Sequence, residues 1–178
     1  DIGCDATYEY ACSTELNLAR GKPVTANFVP LQAYGTGTLT TVTDGETGTN
    51  GYSDAAGPLR CNFDRWVQVD LGAVYSITAI RRWMYYGDGR SYCGQKAVLL
   101  TDPNSFSGDT EVFVCRDYGE CGKEDSAGNG RLIPLSATSA RYIRYYFGGS
   151  TANPSGHIVE LQAFASSGFS ASNFCDQP

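Results

Sequence analysis

The segment RWVQVDLG (residues 65–72) alternates along its length with a period of two residues. Val67, Val69 and Leu71 fall on one face of an extended strand, and the residues between them fall on the other face. Similar short runs recur along the chain, separated by turns that are rich in glycine, and no segment carries a long 3.6-residue period. This pattern predicts an all-β domain, built as a β-sandwich or jelly roll.

The other strand-like runs follow the same pattern and lie at residues 24–28, 76–84, 96–101, 110–115, 139–149 and 157–164. The 21 glycines and 12 tyrosines, set against a single methionine, also favour strands and turns over helices. A chain of 178 residues suits one domain with a sizeable core. We therefore expect a cysteine-bearing lead-in at residues 1–16, one jelly-roll domain at residues 17–165 and a tail at residues 166–178.

The number and spacing of the cysteines bear on the cellular compartment in which the protein resides. They are Cys4, Cys12, Cys61, Cys93, Cys115, Cys121 and Cys175. No two of them have the C-x-x-C spacing, and the one histidine, His157, is not near any pair, which argues against a zinc site. Disulfide bonds in a secreted or cell-surface protein fit this usage better.

Two pairings are plausible candidates, although spacing alone does not prove connectivity. CRDYGEC, from Cys115 to Cys121, resembles a small closed loop, and a bond between Cys61 and Cys93 would clamp the loop after residue 84. The odd count leaves one thiol, and Cys175 is our first candidate for it. That thiol is either free or bonded outside the chain, to an oligomer partner or to the rest of a larger parent protein.

The charge pattern argues against some classes of partner. The net charge is −6 and the basic residues are scattered, whereas nucleic-acid binding requires a basic footprint. No apolar run approaches the roughly 20 residues of a membrane span. We expect neither a nucleic-acid partner nor a membrane-spanning segment.

Catalytic patterns are also missing from the sequence. It contains no G-x-S-x-G motif and no paired histidines. Glu124 and Asp125 form a carboxylate pair, but they lie in an open polar loop, and glycosidases need buried carboxylates with perturbed pKa values. We expect the protein not to be an enzyme, although it could deliver a separate catalytic domain to its substrate.

Four stretches of the chain resemble one superfamily when taken in order. They are NLARGKPVTA, TDG with the polar loop after it, RWVQVDLGAVYSITAIRRW, and SARYIRYYFGG followed by GHIVELQAF. Together, over about residues 17–164, they resemble the discoidin or coagulation factor V/VIII type C domain. That domain belongs to the galactose-binding-domain-like jelly rolls, with F-type lectins and galactose-specific carbohydrate-binding modules. The resemblance implies this fold and a ligand that is a sugar, a phospholipid surface or a protein.

The resemblance also implies a structural calcium ion. In the sugar-binding relatives, a loop of the DG type and a glutamate in the last strand hold one Ca²⁺ ion. By that resemblance, Asp44 and Glu160 supply carboxylates, Thr49 a hydroxyl, and Glu46 and Ala163 backbone carbonyls. The alternative is a plain turn, in which Asp44 caps its own loop and Glu160 is a solvated strand residue.

The loop YYGDGRSYCGQK (residues 85–96) is the first candidate for a sugar site. Asp88 and Arg90 suit sugar hydroxyls, and Tyr85, Tyr86 and Tyr92 suit the apolar C–H face of a pyranose. In related lectins, the loop after this strand carries key arginine, aspartate or asparagine residues. The alternative is a stapled surface loop, in which Arg90 and Asp88 form a weak salt bridge.

Two further loops complete the predicted site. Tyr52, Asp54 and Arg60 come from the loop GYSDAAGPLRCNF, and Asn153 comes from GGSTANPSG. The sequence lacks the histidine that galactose- and fucose-specific relatives place after the DG segment. His157, at the start of the last strand, is expected to be structural or to sit at the rim.

The leading hypothesis is a secreted, calcium-containing lectin or carbohydrate-binding module that recognises a terminal sugar, with galactose- and fucose-like sugars as candidates. The alternative is a discoidin-type cell-adhesion or surface-binding module with a protein or membrane ligand. Anionic lipid is the weaker option, because the loops carry tyrosine, glycine and acid where lipid binders have apolar spikes backed by basic residues.

Overall fold

The computed structural model describes residues 16–31, 38–57, 60–104, 110–123 and 129–165. Cys4, Cys12, Cys175 and the carboxylate pair Glu124 and Asp125 lie outside the described residues. Nearly all of the predicted lead-in and the predicted tail also lie outside them, so the domain boundaries stay a prediction.

Seven strands and two short helical turns make up the described part of the chain. The strands are β1 (Val24–Ala26), β2 (Ser53–Ala55), β3 (Arg65–Met84), β4 (Gln95–Leu100), β5 (Thr110–Cys115), β6 (Arg131–Phe147) and β7 (Gly156–Ala165). A 3₁₀ turn covers Thr40–Val42, and the α-helix α1 covers Tyr118–Cys121. Among these residues, no helix has the length and apolar character needed to cross a membrane.

All strand pairs are antiparallel, and the strands follow the order β2-β7-β3-β6-β4-β5, with β1 added beside β3. The register between β3 and β6 shifts between Asp70 and Tyr75, and again between Ile77 and Ala79. Such bulges bend a strand and let it turn a corner of a sandwich. The predicted all-β sandwich is confirmed.

The strands differ from the prediction in several places. The strand β2 lies in a stretch that was predicted to be a loop, and β1 and β6 end two residues earlier than predicted. Residues 65–72 and 76–84 were expected to form separate strands, but they form the single 20-residue strand β3. The first half of β6, from Arg131 onwards, was not expected, because it contains Pro134 and polar residues. Tertiary pairing with β3 overrides these weak local preferences, since Pro134 lies opposite Ala79 in the ladder.

The period-two faces predicted from the sequence form the core. Val67, Val69 and Leu71 of β3 are fully buried, and so are Ile143 and its two alternating neighbours on β6, Tyr145 and Phe147. The ring of Phe147 packs edge-on against Phe28 at a centroid distance of 5.9 Å. The core therefore lies on the inner face of β3 and β6, next to the strands that carry the candidate site.

The strand arginines divide between two environments. On the outer face, Arg141 donates to both oxygens of Asp70 at 2.8 and 2.9 Å. Arg82, by contrast, is fully buried and donates from Nε to the hydroxyl of Tyr145 at 2.8 Å. Arg82 is thus a core residue, because its strand position after the bulges faces inward.

Both candidate disulfide bonds are present. Cys61–Cys93 joins positions 32 residues apart and ties the segment before β3 to the loop after it. Cys115–Cys121 closes a short loop around α1. Gly148 is required beside the first bond, because a Cβ there would lie 2.4 Å from the carbonyl oxygen of Arg60 and 2.8 Å from that of Cys93. Three backbone segments therefore meet tightly below the candidate loop.

Candidate functional site

A cavity of about 390 Å³ opens where β2 and β7 meet the loop after β3. Its lining residues are Leu31, Tyr52, Asp54, Tyr85, Arg90, Asn153, Ser155 and His157. A volume of this size is at the lower end of the range for small-molecule sites. Five of the nine predicted ligand residues line it: Tyr52, Asp54, Tyr85, Arg90 and Asn153.

Strand register brings the cavity wall together. Asp54 of β2 lies directly opposite His157 of β7, so their side chains are neighbours on the same face. The backbone N–H of Tyr85 donates to the carbonyl of His157 at 3.0 Å, and that of Leu31 donates to the carbonyl of Asp54 at 2.9 Å. Residues distant in sequence are thus fixed beside one another by backbone hydrogen bonds.

Arg90 is held by two neighbours. Its Nε and Nη2 atoms donate to Asp88 Oδ1 and Oδ2 at 2.7 and 2.5 Å, and its Cζ atom lies 4.8 Å from the ring centroid of Tyr85. The hydrogen bond from Arg90 lowers the pKa of Asp88, which therefore stays ionised. Because the Arg90 side chain is only 11% exposed, this ion pair differs from the weak surface salt bridge considered as the alternative.

His157 occupies the centre of the wall and is 5% exposed. Its Nδ1 atom lies 2.9 Å from the Tyr92 hydroxyl and 3.3 Å from Arg90 Nη1. A guanidinium can only donate, so Nδ1 is assigned as an acceptor and the proton is placed on Nε2. Burial, assisted by the charge of Arg90, lowers the pKa of His157 to about 4, and the ring is neutral at pH 7.

Asp54 is a buried carboxylate, 2% exposed. Its Oδ1 atom has no hydrogen-bond partner among the described residues, and His157 Nε2 lies 3.6 Å away, too far for a hydrogen bond. Burial raises the pKa of Asp54, and the positive charge of Arg90 opposes that rise.

Aromatic rings cover the remaining wall. Tyr52 packs edge-on against Tyr85 at 5.1 Å and against His157 at 5.5 Å between ring centroids. Burial, and then the charge of Asp54, raises the pKa of Tyr52, so its phenol is neutral at pH 7. With Leu31 beside them, these rings offer an apolar surface next to charged hydrogen-bonding groups.

The loop that carries Asn153 is braced against the loop that carries Arg90. Thr151 N–H donates to the Ser91 carbonyl at 2.9 Å, and Ser91 N–H donates to the Thr151 hydroxyl at 3.0 Å. Within the first loop, the Ser150 hydroxyl donates to the Asn153 carbonyl at 2.8 Å. The two loops therefore hold their cavity residues in a fixed relation.

The other four predicted ligand residues lie outside the cavity lining. The Tyr86 hydroxyl donates to the Thr47 carbonyl at 2.8 Å, and Tyr92 is fully buried behind His157. Arg60 is exposed away from the cavity. Asp88 contacts the site through Arg90 and is not in the wall. These four side chains were predicted to contact a ligand directly. In the structure Asp88 contacts Arg90, and Tyr92 contacts His157, so both adjoin residues of the cavity wall.

Three wall residues were missed in the sequence: His157, Ser155 and Leu31. His157 was judged structural or peripheral, although its being the one histidine, next to a candidate loop, was an available signal. Ser155 lies in the predicted loop GGSTANPSG, two residues after Asn153, whereas Leu31 gave no signal, because it reaches the cavity only through a long-range backbone hydrogen bond to Asp54.

The predicted calcium ligands lie around the turn after the 3₁₀ segment. Glu46 N–H donates to Asp44 Oδ1 at 2.8 Å, so Asp44 does cap its own loop. Glu160 is fully buried, which overturns the alternative of a solvated strand residue. Gly45 N–H donates to Glu160 Oε2 at 3.3 Å, which links the loop to β7.

Glu160 supplies the observation that bears on a cation. Its Oε1 atom is buried and has no hydrogen-bond partner among the described residues. Burial raises the pKa of Glu160 to about 8; the charge of Asp44 adds to the rise, whereas the Gly45 N–H and the Gln162 side chain oppose it. A buried, unpaired carboxylate oxygen beside a second carboxylate fits a divalent cation.

Within the described ranges, no three His, Cys, Asp or Glu side chains are close enough to hold a metal by themselves. A calcium ion here would need neutral oxygens as well, as Ca²⁺ commonly does. The Ala163 carbonyl accepts from Leu18 N–H at 2.9 Å and retains a second lone pair. The predicted set of two carboxylates, one hydroxyl and two carbonyls is therefore chemically suitable.

No protein-family model and no curated protein sequence matches the chain. Solved structures do match it. The CBM32 module of AlyQ, in complex with 4,5-unsaturated mannuronic acid, is 25% identical with a TM-score of 0.57, and the match covers 80% of this chain and 93% of that one.

Two further matches are similar in extent. Chitosan-binding module 1 of a chitosanase/glucanase from Paenibacillus sp. IK-5 has a TM-score of 0.61 and 18% identity, covering 84% of this chain and 99% of that one. A mutant lectin binding domain of Lectinolysin, complexed with Lewis b, has a TM-score of 0.59 and 19% identity, covering 85% and 97%. The domain therefore has the galactose-binding-domain-like fold, the fold of CBM32 and F5/8 type C (discoidin) modules.

Proposed function

We propose that the protein is a secreted carbohydrate-binding module or lectin that recognises a terminal sugar in the cavity beside β2 and β7. The observation that carries this proposal is the wall itself: tyrosine rings adjoin a fixed guanidinium and a buried carboxylate. A pyranose has the complementary surface, because its C–H patch is apolar and its hydroxyls both donate and accept.

Each side of the wall has a distinct role in this proposal. Tyr52 and Tyr85 pack against the C–H face of the sugar. Arg90 donates to hydroxyl oxygens, and Asp54 and Asn153 accept from hydroxyl hydrogens. Because the wall is held by backbone pairing, the cavity is largely pre-formed and little ordering entropy is lost on binding.

The comparisons support a sugar ligand. The three matched modules are named for, or were solved with, carbohydrates: unsaturated mannuronic acid, chitosan and Lewis b. These ligands differ in charge and shape, so they do not choose among sugars for this chain. Galactose- and fucose-like terminal sugars remain the candidates from the sequence.

We also propose a structural Ca²⁺ ion held by the side chains of Asp44, Thr49 and Glu160 and the carbonyls of Glu46 and Ala163. The ion would supply a partner to the buried Oε1 atom of Glu160, which has no hydrogen-bond partner among the described residues, and would add to the positive charge of Arg20 nearby. Glu160 and the Gly45 N–H already join the loop to β7, and the ion would strengthen that junction.

Two disulfide bonds support an extracellular location, where such bonds persist. The protein acts in this proposal by reversible binding and carries out no chemistry itself. Single-site affinity of such a shallow site is expected to be in the millimolar to micromolar range, about −4 to −8 kcal/mol, so that multivalency increases it.

A glycan array probed with and without chelator tests the proposal. Wild type should bind a defined set of terminal sugars, and Arg90→Ala should abolish that binding with the fold retained. Arg116→Ala is the matched control, because Arg116 is an exposed arginine whose side chain pairs with Glu120 outside the cavity. Absence of glycan binding, with binding to liposomes or a protein surface, would instead support the adhesion alternative.

A further inference from the structure

The cavity carries an excess of negative charge. Arg90 is the one cation among its described lining residues, and both oxygens of Asp88 accept from it. The Arg90–Asp88 pair is therefore compensated internally, at distances typical of a charge-assisted bidentate pair. Asp54 adds a second carboxylate. The charge of Arg90 acts on it, but among the described residues no arginine or lysine forms an ion pair with it, and His157 is neutral in this wall.

Asp54 is poised to receive a donor. Its side chain is 3% exposed, and its Oδ1 atom has no hydrogen-bond partner among the described residues. His157 Nε2 lies 3.6 Å from this oxygen, which is beyond hydrogen-bond distance. Leaving a carboxylate buried without a partner costs free energy, and a ligand that donates to it recovers part of that cost.

The chemical type of the donor decides how much of this free-energy cost a ligand recovers. A sugar hydroxyl gives an ordinary hydrogen bond to a carboxylate, whereas a protonated amine gives a charge-assisted one and also balances the charge. A uronic acid would bring a third carboxylate to a wall whose one guanidinium is already paired. The neighbouring phenol of Tyr52, whose pKa is raised by burial, is neutral and balances the charge of neither ligand.

We infer that the cavity selects sugars by charge: it prefers a terminal amino sugar with a free, protonated amine, accepts the neutral analogue less well, and rejects the uronic acid. This inference rests on the proposed function, because it takes the ligand to be a sugar. It adds the substrate class, which neither the fold nor the resemblance specifies.

Isothermal titration calorimetry with matched ligands tests it. The probes are the methyl glycosides of a hexosamine, its N-acetylated form and the corresponding uronic acid, in the gluco and galacto series. Measurements at about pH 6 keep the amine protonated, since amines of this kind titrate at about 7.7–8.0. In at least one series the hexosamine should bind at least about tenfold more tightly than its N-acetylated form, and the uronic acid should show no measurable binding.

The variant Asp54→Asn tests whether the preference for the amine depends on the carboxylate of Asp54. The isosteric amide should bring hexosamine and N-acetylhexosamine to within about twofold of each other while neutral sugars still bind. Glu111→Gln is the matched control, because it also removes one negative charge, but from an exposed residue of β5 that pairs with Lys96. That variant should keep the wild-type preference.

The outcomes separate this inference from the proposed function. If no sugar of any charge binds the wild-type protein, the proposed function is wrong and this inference with it. If neutral sugars or uronic acids bind as tightly as the amine, only the charge selection is overturned. The wild-type comparison decides this even if Asp54→Asn fails to fold, and a preference that survives in a folded Asp54→Asn protein also overturns it.

Discussion

The guanidinium of Arg90 lies over the ring of Tyr85, with 4.8 Å between Cζ and the ring centroid. The ring therefore both supports the cation and contributes to the cavity wall. An equivalent pair exists on the outer face of the sheet, where Arg141 lies 5.1 Å from the ring centroid of Tyr142. The two pairs allow the role of the ring to be separated from its effect on stability.

Tyr85→Ala should weaken sugar binding by about tenfold or more, because it removes the stacking surface and the support of Arg90. Tyr85→Phe keeps the ring and should stay within about threefold of wild type. Tyr142→Ala removes a ring of similar type outside the cavity and should leave affinity unchanged. Calorimetric titration measures the sugar affinity of all three variants. Equal losses of affinity in Tyr85→Ala and Tyr142→Ala would show that Tyr85 does not contact the sugar.

His157 should remain neutral under mildly acidic conditions. Its pKa in the folded state is about 4, against about 6.5 when unfolded, so the unfolded state binds a proton first. Stability should therefore fall as the pH is lowered from about 6.5 to about 4, by up to about 3 kcal/mol from this group. Denaturant unfolding of wild type and His157→Gln at several pH values isolates this contribution as the difference between the two proteins, because Glu160, with its raised pKa, changes stability in the opposite direction over the same window.

The same residue gives a direct spectroscopic check. The chain contains a single histidine, so its imidazole NMR signals need no assignment. They should not titrate between pH 7.5 and pH 5.5. A titration midpoint near the ordinary pKa of about 6.5 would show that the ring is solvated and would contradict the assignment of the proton to Nε2.

Glu160→Gln should change stability in two opposite ways. In chelator and above about pH 8, where Glu160 is ionised, it should raise the melting temperature, because a neutral amide replaces a buried carboxylate whose Oε1 atom has no hydrogen-bond partner among the described residues. Added calcium should then give no further rise. Wild type at a calcium concentration about 100 times its Kd should gain about 2.7 kcal/mol.

Glu46→Gln is the control for that measurement. Glu46 contributes only its carbonyl to the predicted calcium site, and its side chain is exposed. This variant should respond to calcium as wild type does, in differential scanning calorimetry. Identical behaviour of wild type in calcium and in chelator would show that the site binds no calcium.

The two disulfide bonds should contribute unequally. The loop closed by Cys61–Cys93 spans 32 residues, and that closed by Cys115–Cys121 spans 6. Loop-entropy arguments give about 4 and about 2 kcal/mol of stabilisation respectively. Replacing both cysteines of the first pair by serine should also weaken sugar binding, since it frees the loop that carries Arg90. Replacing the second pair should leave binding intact, as measured by unfolding and calorimetry.

Short-range sequence patterns were enough to predict which strand faces form the core and which loop carries the candidate site. The alternation around Val67 and Val69 identified the inner face of β3, and the clustering of Asp88 with Arg90 identified one wall of the cavity. His157 and Leu31 could not be placed, because the register of β2 with β7 brings in the first and a backbone hydrogen bond to Asp54 brings in the second, and the sequence encodes neither pairing locally. Burial of Glu160 was hidden for the same reason.

The hydrogen bond from the Tyr86 hydroxyl to the Thr47 carbonyl joins two loops that are far apart in the sequence and were predicted to have different roles. Tyr86 follows Tyr85 of the cavity wall directly, and Thr47 lies within the acidic turn beside Glu160. The two loops are therefore connected through one hydrogen bond and one peptide unit, by which a conformational change in one loop can reach the other. Any coupling between the acidic turn and ligand binding in the cavity would run through this bond, and by thermodynamic reciprocity it would act equally in both directions.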